Sequence, residues 1–550
     1  MKLRVLTAVL MAVGWAGSAN AQIITQWNFP TGFDLASPAP STGSGTASRI
    51  GGTSATQAGG LTNAGSTEAV AGSVAWNTST YPAATAASGT AGVQFNVSTA
   101  SASNIVVRFD LRHSSTSSRF LQLQYTTDGT TWTSAGTFEA NIGLADTWYN
   151  NRTADLSGIA AANNNANFGV RVVSIFDPAN NTSYTGTAGA YGTTGTYRFD
   201  AVTVSAGSVW IGGSGTDLGN AANYAGGVAP TTTGTVLLGP AGGSSTSVNT
   251  TVPGGTTLDQ LVFRAGAPAY TVSGPGVLTL NAGLINDATV AQTISAPVTF
   301  GLSNTVQNAG TVTLGGAVNF TNFLVQQGGG TINFNGTVNG AISALTTGNP
   351  AAATVRVANG TLGGTGTVNT PVDVRAGSTI RGDSGSGTGN LNLTADTTVR
   401  AAAANGANVA TQLAVSGGAI SGNSKLALTG PGTDLIFDMT AGKFRITLLG
   451  DAGLTNGNTY TIALATANSA TNFYRTGSNT DPFTTADFDV VSGSGTWTAF
   501  NSVSLVRNAG TNSLDLTFSP VPEPATIGLI CVGVLTAGAA VRRKRQPTAV

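Results

Sequence analysis

The sequence has few of the side chains that metal sites and nucleophilic catalysis need. Of its 550 residues, one is a cysteine, one is a histidine, and 8% are charged. A zinc site takes about four cysteine, histidine or carboxylate ligands, so Cys531 and His113 cannot supply one between them. His113 is also the only histidine that could activate a serine, and no G-x-S-x-G motif accompanies it. The composition therefore predicts a chain without a metal, without a cofactor and without catalytic activity.

Cationic charge is scarce outside the two ends of the chain. The totals are equal, with 23 Lys and Arg against 23 Asp and Glu. Because part of the cationic total lies in Lys2, Arg4 and residues 542–545, the residues between the ends are mildly acidic. This distribution leaves no basic face for nucleic acid.

Glycine is abundant and occupies 75 positions, while Thr, Ser, Asn, Ala and Val fill most of the others. The mixture is apolar enough to fold, whereas a disordered chain combines low hydrophobicity with high net charge. Short alternating segments separated by glycine turns are typical of all-β proteins. The length allows two or three domains.

The first 21 residues predict a secretory signal peptide. Lys2 and Arg4 precede an apolar stretch over residues 5–16, and small residues follow up to Ala19 and Ala21. A basic start, an apolar middle and an A-x-A end are the three parts of such a peptide, which would be cleaved after Ala21. An N-terminal transmembrane anchor is the alternative, but the apolar run is short for one.

The C-terminal segment predicts a membrane helix over residues 525–541. Ala525 to Val541 carries no charge and would measure roughly 26 Å as a helix, near the lower limit for a bilayer span. Four cations that remain on the cytoplasmic side come directly after it: Arg542, Arg543, Lys544 and Arg545. The sequence thus predicts export, with the bulk of the chain outside the membrane.

Val521-Pro522-Glu523-Pro524, followed by the apolar segment and the basic cluster, resembles the PEP-CTERM sorting tail of Gram-negative bacterial surface proteins. The resemblance covers residues 520–550. It implies that Pro522, Glu523 and Pro524 are recognised by exosortase, a membrane enzyme that removes the tail. It also implies transient anchoring in the inner membrane, release to the cell surface or matrix, and a link to exopolysaccharide production.

Residues 22–207 predict a jelly-roll-like β-sandwich. In NIVVRFDLRH, residues 104–113, apolar positions alternate with Arg108, Asp110 and Arg112, which predicts one apolar face and one polar outer face. Asp128-Gly129 predicts a tight hairpin, since both residues tolerate positive φ.

Three segments of this region are similar to a sandwich domain often found ahead of PEP-CTERM tails: RFDLRHSSTSSRFLQLQYTTDGTTW, NFGVRVVSIFD and YRFDAVTVS. That resemblance implies an architecture but no activity.

Residues 208–519 predict a parallel β-helix. Very short alternating segments, such as GTVTLGGAVNF and GGTINFNGTVNG, are separated by Gly and Asn turns. At about 20 residues per coil the region would form on the order of 15 coils, which bury an inner face only when stacked. ISAPV at 294–298 and GTLGGTGTVNTPVDVRAG at 360–377 resemble autotransporter-associated β-strand repeats.

Two further clusters could carry function. Asp434, Asp438, Lys443 and Arg445 are the best local group for a polysaccharide lyase or hydrolase, but an outward charged face across a hairpin is the favoured interpretation. Residues 381–383 have the sequence RGD, which is the integrin-binding motif. They lie in a Gly/Ser-rich turn, where a chance occurrence is the favoured interpretation.

Aromatic residues of the sandwich could stack on sugars, as in many jelly rolls, or could simply be core residues: Trp27, Trp76, Trp132, Trp148 and Tyr149. The sequence predicts an exported, surface-sorted structural or adhesin-like protein of the extracellular polysaccharide matrix. A carbohydrate-binding module is the alternative, followed by a polysaccharide-degrading enzyme on the β-helix. The expected partners are an exosortase, extracellular polysaccharide and, before processing, the membrane.

Overall fold

The computed structural model describes residues 22–62, 65–68, 71–140, 145–240, 246–250, 255–344, 352–385, 387–402 and 406–522. The predicted signal peptide, with Ala19 and Ala21, lies outside these residues. So do the predicted membrane helix over 525–541 and most of the predicted sorting residues: Glu523, Pro524, Arg542, Arg543, Lys544 and Arg545. No helix in the described ranges is long and apolar enough to cross a membrane.

The N-terminal part is a β-sandwich of two antiparallel sheets. Its strands are Gln22–Trp27 (β1), Thr42–Gly43 (β2), Thr46–Ile50 (β3), Ser54–Gly59 (β4), Val74–Ser79 (β5), Gly92–Asn96 (β6), Ile105–His113 (β7), Phe120–Thr126 (β8), Thr133–Glu139 (β9), Thr147–Asp155 (β10), Gly169–Ser174 (β11) and Tyr197–Val209 (β12).

Sheet I contains β4, β5, β12, β7 and β10; β1 pairs with the other half of β12, and β2 pairs with β1. Sheet II has the order β3-β6-β11-β8-β9. A core of buried aromatic residues joins the sheets, with the rings of Trp27 and Phe95 at 4.8 Å and those of Phe109 and Phe138 at 5.3 Å. The predicted sandwich is confirmed.

The predicted hairpin at Asp128-Gly129 joins β8 to β9, but only one of the two residues has positive φ. Gly129 has a φ of 79°. Asp128 instead accepts hydrogen bonds on Oδ1 from the backbone N–H groups of Thr130 at 2.7 Å and Thr131 at 2.6 Å. The aspartate therefore closes the turn with its side chain.

The C-terminal part is the predicted parallel β-helix. Its strands up to the middle of the helix are Thr235–Leu238 (β13), Ser247–Asn249 (β14), Thr256–Leu258 (β15), Gln260–Phe263 (β16), Thr271–Ser273 (β17), Leu278–Leu280 (β18), Leu284–Asn286 (β19), Gln292–Ile294 (β20), Val298–Asn308 (β21), Thr311–Leu314 (β22), Val318–Gln327 (β23), Thr331–Phe334 (β24), Thr337–Ala341 (β25) and Thr354–Val357 (β26).

The later strands are Thr361–Gly363 (β27), Thr367–Val368 (β28), Val372–Val374 (β29), Thr379–Arg381 (β30), Asn390–Leu393 (β31), Thr397–Arg400 (β32), Asn408–Ser416 (β33), Ala419–Asn423 (β34), Lys425–Leu428 (β35), Leu435–Asp438 (β36), Phe444–Leu449 (β37), Tyr460–Thr466 (β38), Phe473–Arg475 (β39), Phe488–Ser492 (β40), Trp497–Asn508 (β41) and Ser513–Pro522 (β42). The 3₁₀ helices of the described residues are Ala160–Ala162, Ala221–Asn223, Asp451–Gly453 and Ala470–Asn472.

The strands stack into three faces. Face A contains β13, β16, β19, the second half of β21, the second half of β23, β26, β29, β32, β36 and β39. Face B runs from β14 through β17, β20, β22, β24, β27, β30, β33 and β37 to β40. Face C contains β15, β18, the first halves of β21 and β23, β25, β28, β31, β35 and β38. The chain visits A, B and C in turn.

The described part of the β-helix has ten coils, so the prediction of about 15 is wrong. Val306 pairs with Gln326 on the next coil, whereas Val399 pairs with Phe437, which lies almost twice as far along the chain. One of the later coils is longer partly because it includes an extra hairpin, in which the end of β33 pairs with β34 outside the three faces. The sequence pattern counted only the short coils.

The interior of the β-helix is apolar, and its C-terminal end is closed. Valine, leucine, isoleucine and phenylalanine from all three faces form one continuous buried cluster. At one corner Asn286 Nδ2 donates to Asn308 Oδ1 at 2.8 Å, which satisfies buried amides between coils. At the C-terminal end β42 pairs antiparallel with β38 and β41, and Phe518 packs its ring against Tyr460.

The predicted polar outer face of β7 is not exposed, because every residue of β7 is buried. Arg108 pairs with Asp259 of the β-helix at 2.9 Å. Asp110 accepts hydrogen bonds from the backbone N–H groups of Thr67 at 2.5 Å and Asn151 at 2.7 Å. The face was predicted to be outward from alternation alone, but another part of the chain covers it.

Two buried carboxylates lie side by side on this face. Asp110 and Asp200 are cross-strand partners on β7 and β12, and both are fully buried. Burial, together with the negative charges of Glu68 and Asp110, raises the pKa of Asp200 well above its ordinary value. Ser66 donates its hydroxyl to Asp200 Oδ2 at 2.6 Å. The folded sandwich therefore favours a protonated Asp200.

The contribution of Asp200 to stability should rise as the pH is lowered from 8 towards 4. As pH increases above the ordinary value of 3.8, Asp200 ionises first in the unfolded chain, so the folded state loses stability until pH passes the raised pKa. Thermal unfolding of Asp200→Asn should show a higher midpoint at pH 8 and a weaker pH dependence than the parent. An unchanged pH profile would contradict the assignment. Asp34→Asn, at an exposed position, is the matched control.

A column of glycines lets three successive coils approach closely at the corner between faces B and C. A Cβ on Gly336 would overlap the carbonyl oxygen of Gly316, and one on Gly366 would overlap that of Gly336. None of the three has a positive φ that would explain glycine. Close approach of the backbones is the reason for glycine here.

Gly336→Ala should therefore lower the free energy of unfolding by about 2 kcal/mol or more, because the coils must separate to admit a methyl group. Gly136→Ala is the control, since a Cβ there meets no atom within 4 Å. Urea unfolding followed by circular dichroism measures both variants. Equal effects of the two substitutions would show that coil contact does not set the requirement.

Candidate functional site

The sandwich is attached to the β-helix by a shared strand and a small apolar contact. Residues Tyr197–Asp200 of β12 pair within sheet I, whereas Gly207–Val209 pair in parallel with β13 of the first coil. Beside this junction Val106 of the sandwich packs on an outward row of face A: Leu237, Val262 and Ile285. The interface begins where the backbone crosses from one part to the other.

Polar groups of sheet I meet partners on face A in the same region. Arg108 forms two hydrogen bonds with Asp259, at 2.9 and 3.2 Å. Gln260 Nε2 donates to Thr153 Oγ1 at 2.8 Å. These groups are buried, so each bond offsets a desolvation cost.

Two further bonds extend the interface along β10. Arg264 Nε donates to Asp155 Oδ2 at 2.8 Å, and Asn151 Nδ2 donates to Asn304 Oδ1 at 2.9 Å. The interface therefore reaches from the first coils to the coil that contains β21.

Beyond this interface the sandwich and the β-helix are separated by a cleft of about 680 Å³, here called the interdomain cleft. The sandwich contributes Arg119, Glu139 and Arg152, and the β-helix contributes Asp287, Gln307, Gln327 and Asn359, among others. The volume lies in the range of small-ligand sites. Residues of the cleft are far apart in sequence, and sequence reasoning missed all of them.

Arg152 is the most unusual residue of the cleft, because it is a buried cation without a carboxylate partner among the described residues. It is 2% exposed. Its guanidinium lies 4.8 Å from the ring centre of Tyr149 and 5.3 Å from that of Phe138. Nη2 donates to the carbonyl oxygen of Glu139 at 2.8 Å, and Nε has no hydrogen-bond partner. Burial lowers the pKa of Arg152 to about 10.

The other charged groups of the cleft lie on both walls. Glu139 forms an ion pair with Arg119 on the sandwich wall. On the β-helix wall, burial raises the pKa of Asp287 to about 6, and the charge of Asp155 adds to the shift. The cleft therefore combines an unpaired arginine with carboxylates that are paired or only weakly acidic.

His113 is a core residue. It is fully buried, and its ring contacts those of Tyr149 at 5.3 Å and Tyr197 at 5.1 Å. Its Nδ1 lies 3.2 Å from the carbonyl oxygen of Ser118. Burial, reinforced by the charge of Arg152, lowers the pKa of His113 well below its ordinary value. A neutral imidazole enclosed by tyrosines has no access to a substrate.

The structure separates the charged cluster that sequence analysis placed across a hairpin. Consecutive strands β36 and β37 lie on faces A and B, so Lys443 does not face Asp438. Asp438 pairs with Arg400 at 2.9 Å and Lys443 pairs with Asp489 at 3.0 Å, while Asp434 accepts from Asn472. The hairpin interpretation is wrong, because in a parallel β-helix a strand pairs with the strands of adjacent coils and not with the next strand in the sequence.

A ladder of alternating charge on face A was not predicted. Asp373 pairs with Arg375 at 2.6 Å and Arg400 at 2.7 Å, and Arg356 lies 3.6 Å away. Arg356 also covers the ring of Phe323 at 4.2 Å. The sequence did contain a signal for this ladder. Arg356 in TVRV (β26) and Asp373 in VDV (β29) occupy matching positions of successive strands on face A.

The RGD tripeptide is not available to a receptor. Asp383 is fully buried, and Arg381 Nη2 lies 2.5 Å from its carboxylate. Gly385 N–H also donates to Asp383 Oδ1, at 2.7 Å. The turn folds the arginine and the aspartate onto each other.

Most of the candidate sugar-stacking aromatics are core residues. Trp27, Trp76, Trp148 and Tyr149 are buried. Trp132 is partly exposed and lies under the guanidinium of Arg171 at 4.5 Å. Among the described residues, no group of three or more histidine, cysteine, aspartate or glutamate side chains is placed to hold a metal ion.

The predicted sorting tail begins within the last strand. Pro520, Val521 and Pro522 pair with Phe500, Ala499 and Trp497 of β41. Of the predicted recognition residues, Pro522 thus belongs to the cap of the β-helix, and Glu523 is the next residue in the sequence.

Comparison with known proteins assigns this segment. No curated protein matches the chain. A family model described as the PEP-CTERM protein-sorting motif matches residues 520–545, which confirms the predicted tail. The likeness to autotransporter-associated repeats stays a prediction. The chain carries the PEP-CTERM protein-sorting motif, a signal for export, sorting to the cell surface and processing by an exosortase.

Proposed function

We propose that this protein is a structural, adhesin-like component of an extracellular polysaccharide matrix. The sorting motif at residues 520–545 is the observation that carries the proposal, because it addresses a folded body to the cell surface. The body is suited to a mechanical role, since coils joined by parallel backbone pairing form a stiff rod. The sandwich is held on this rod by buried polar bonds such as Arg108–Asp259.

A structural role also agrees with how charged residues are used. Some of the buried or half-buried ion pairs link neighbouring coils, as Arg400 does with Asp373 and Asp438, and others join the two parts of the protein, as Arg108 does with Asp259. Catalysis of glycosidic cleavage needs two carboxylates on opposite sides of a substrate. The candidate carboxylates Asp434 and Asp438 are instead bound to Asn472 and Arg400. We therefore propose that the protein is not an enzyme.

Carbohydrate binding is the second candidate function, and the interdomain cleft favours it. The cleft is open to polar ligands and contains amide side chains from Gln307, Gln327 and Asn359. Binding would complement a structural role, because a rod that holds a glycan chain can cross-link a matrix.

Glu523→Ala should block processing and leave the full-length chain in the inner membrane, because it alters the acidic residue of the Pro-Glu-Pro motif. Fractionation and immunoblotting would show a larger species in the membrane fraction and a loss of surface signal. The control is Asp481→Ala, an exposed carboxylate in the body. Normal surface display of Glu523→Ala would contradict recognition of this residue.

The surface-displayed protein should remain with the polysaccharide matrix. Because the protein is held on the cell through the polysaccharide, digestion of the polysaccharide should release it into the medium in folded form. Immunoblots of washed cells before and after digestion measure this release. Protein that stays on the cells after the matrix has gone would oppose association with polysaccharide.

A further inference from the structure

The shape of the interdomain cleft selects an extended ligand. Its β-helix wall is built from residues that come after face A on successive coils: Asp287, Ala309, Gly328, Asn359, Ala376 and Ala402. Stacked strands are about 4.8 Å apart, so these six coils span roughly 24 Å. Alanine and glycine at several of the positions leave room between the walls. A long, narrow opening of this kind accommodates a linear chain.

The polar lining is suited to hydroxyl groups. Gln307 and Gln327 occupy the same register on β21 and β23 and both line the cleft. The Nε2 atom of Gln327 is buried and has no hydrogen-bond partner. Carboxamides donate and accept hydrogen bonds, as sugar hydroxyls require. A ligand that replaces the missing partner of Gln327 gains a bond at little cost in desolvation.

The cleft also has a place for a carboxylate. Arg152 is buried, and no carboxylate of the described residues forms an ion pair with it. A guanidinium binds a carboxylate through parallel hydrogen bonds, and such charged bonds are stronger than neutral ones.

The charge is too small for a nucleic acid duplex. Duplex DNA carries a negative charge about every 1.7 Å and needs a row of cations. The cleft offers Arg119 and Arg152, and Glu139 already neutralises Arg119. A polymer with one carboxylate per sugar needs fewer cations and many hydrogen-bonding side chains.

We propose that the interdomain cleft binds a linear glycan containing uronic acids, with one uronate carboxylate on Arg152 and hydroxyls on Gln307 and Gln327. This inference rests on the proposed association with matrix polysaccharide and adds the site and the class of sugar. Both the sandwich and the β-helix contribute to the site, so it exists only when they are docked.

Binding of oligogalacturonate to the exported full chain tests the proposal, with cellohexaose as the neutral probe. The parent should bind the acidic oligomer and not the neutral one, and binding should weaken with salt. Arg152→Gln should weaken binding roughly tenfold, the effect of losing one charged hydrogen-bonded contact. Calorimetry measures affinity, and circular dichroism confirms folding of each variant.

A second variant avoids changing a buried charge. Ala376 is half-buried in the cleft wall, so Ala376→Trp should fill the cleft and abolish binding. Ala395→Trp is the matched control, because this half-buried alanine lies in the turn between β31 and β32, outside the cleft lining. Parent-like binding by a folded Ala376→Trp chain would overturn the site.

Other outcomes overturn the proposal as clearly. Failure of the folded parent to bind oligogalacturonate excludes this glycan class, and equal binding of cellohexaose or single-stranded DNA excludes the carboxylate assignment. Shortening of the oligomer would show an enzyme instead of a binding site. If the parent binds the oligomer but is not released by digestion of the matrix, the proposed function fails while the site stands. If digestion of the matrix releases the protein but the parent does not bind the oligomer, the proposed function stands and the proposed site is excluded.

Discussion

The architecture depends on one strand, β12, whose backbone belongs both to sheet I of the sandwich and to face A of the β-helix. Up to Ala206, β12 is an antiparallel member of sheet I; from Gly207 to Val209 it is the parallel neighbour of β13. The first coil of a β-helix presents a row of amide and carbonyl groups that must be paired. On face A, β12 of the sandwich supplies that pairing for β13, so the sandwich caps this face at its N-terminal end. The crossing strand leaves little freedom to rotate, and this fixes the position of the sandwich on face A.

Fixed docking explains why polar side chains on the sandwich have partners across the interface. Arg108 and Asp155 would be ordinary surface residues of an isolated sandwich, but here they are bound to Asp259 and Arg264. A buried charge without its partner is costly, so these pairs define one relative position more strictly than apolar contact would. The bonds join β7 and β10 to the early coils. The cleft extends further along the β-helix, from the coil of β19 to the coil of β32.

Local pattern was enough to predict both folds, because alternation in β7 and glycine turns in the coils are local properties. Pairing between distant residues was not predictable in the same way. Asp438 was assigned a partner on the next strand, although a parallel coil places it beside Arg400 of the preceding coil. The sequence around Arg152 and Gln327 did not indicate a site, because neither residue is unusual within its own strand. The cleft forms only when the sandwich docks on the β-helix. The tail was recognisable since its motif is contiguous.

The last strand shows how the cap and the sorting signal can share residues. The ladder between β42 and β38 ends at Phe518, whereas pairing with β41 continues to Pro522. Proline lacks an N–H donor and is tolerated where a strand has a neighbour on one side only, which is the situation of Pro520 and Pro522. A processing enzyme that removes the residues C-terminal to this motif leaves Phe518 and the rest of the cap in place. A motif placed further upstream would remove the strand that covers the last coils, so the position of the signal preserves the folded body.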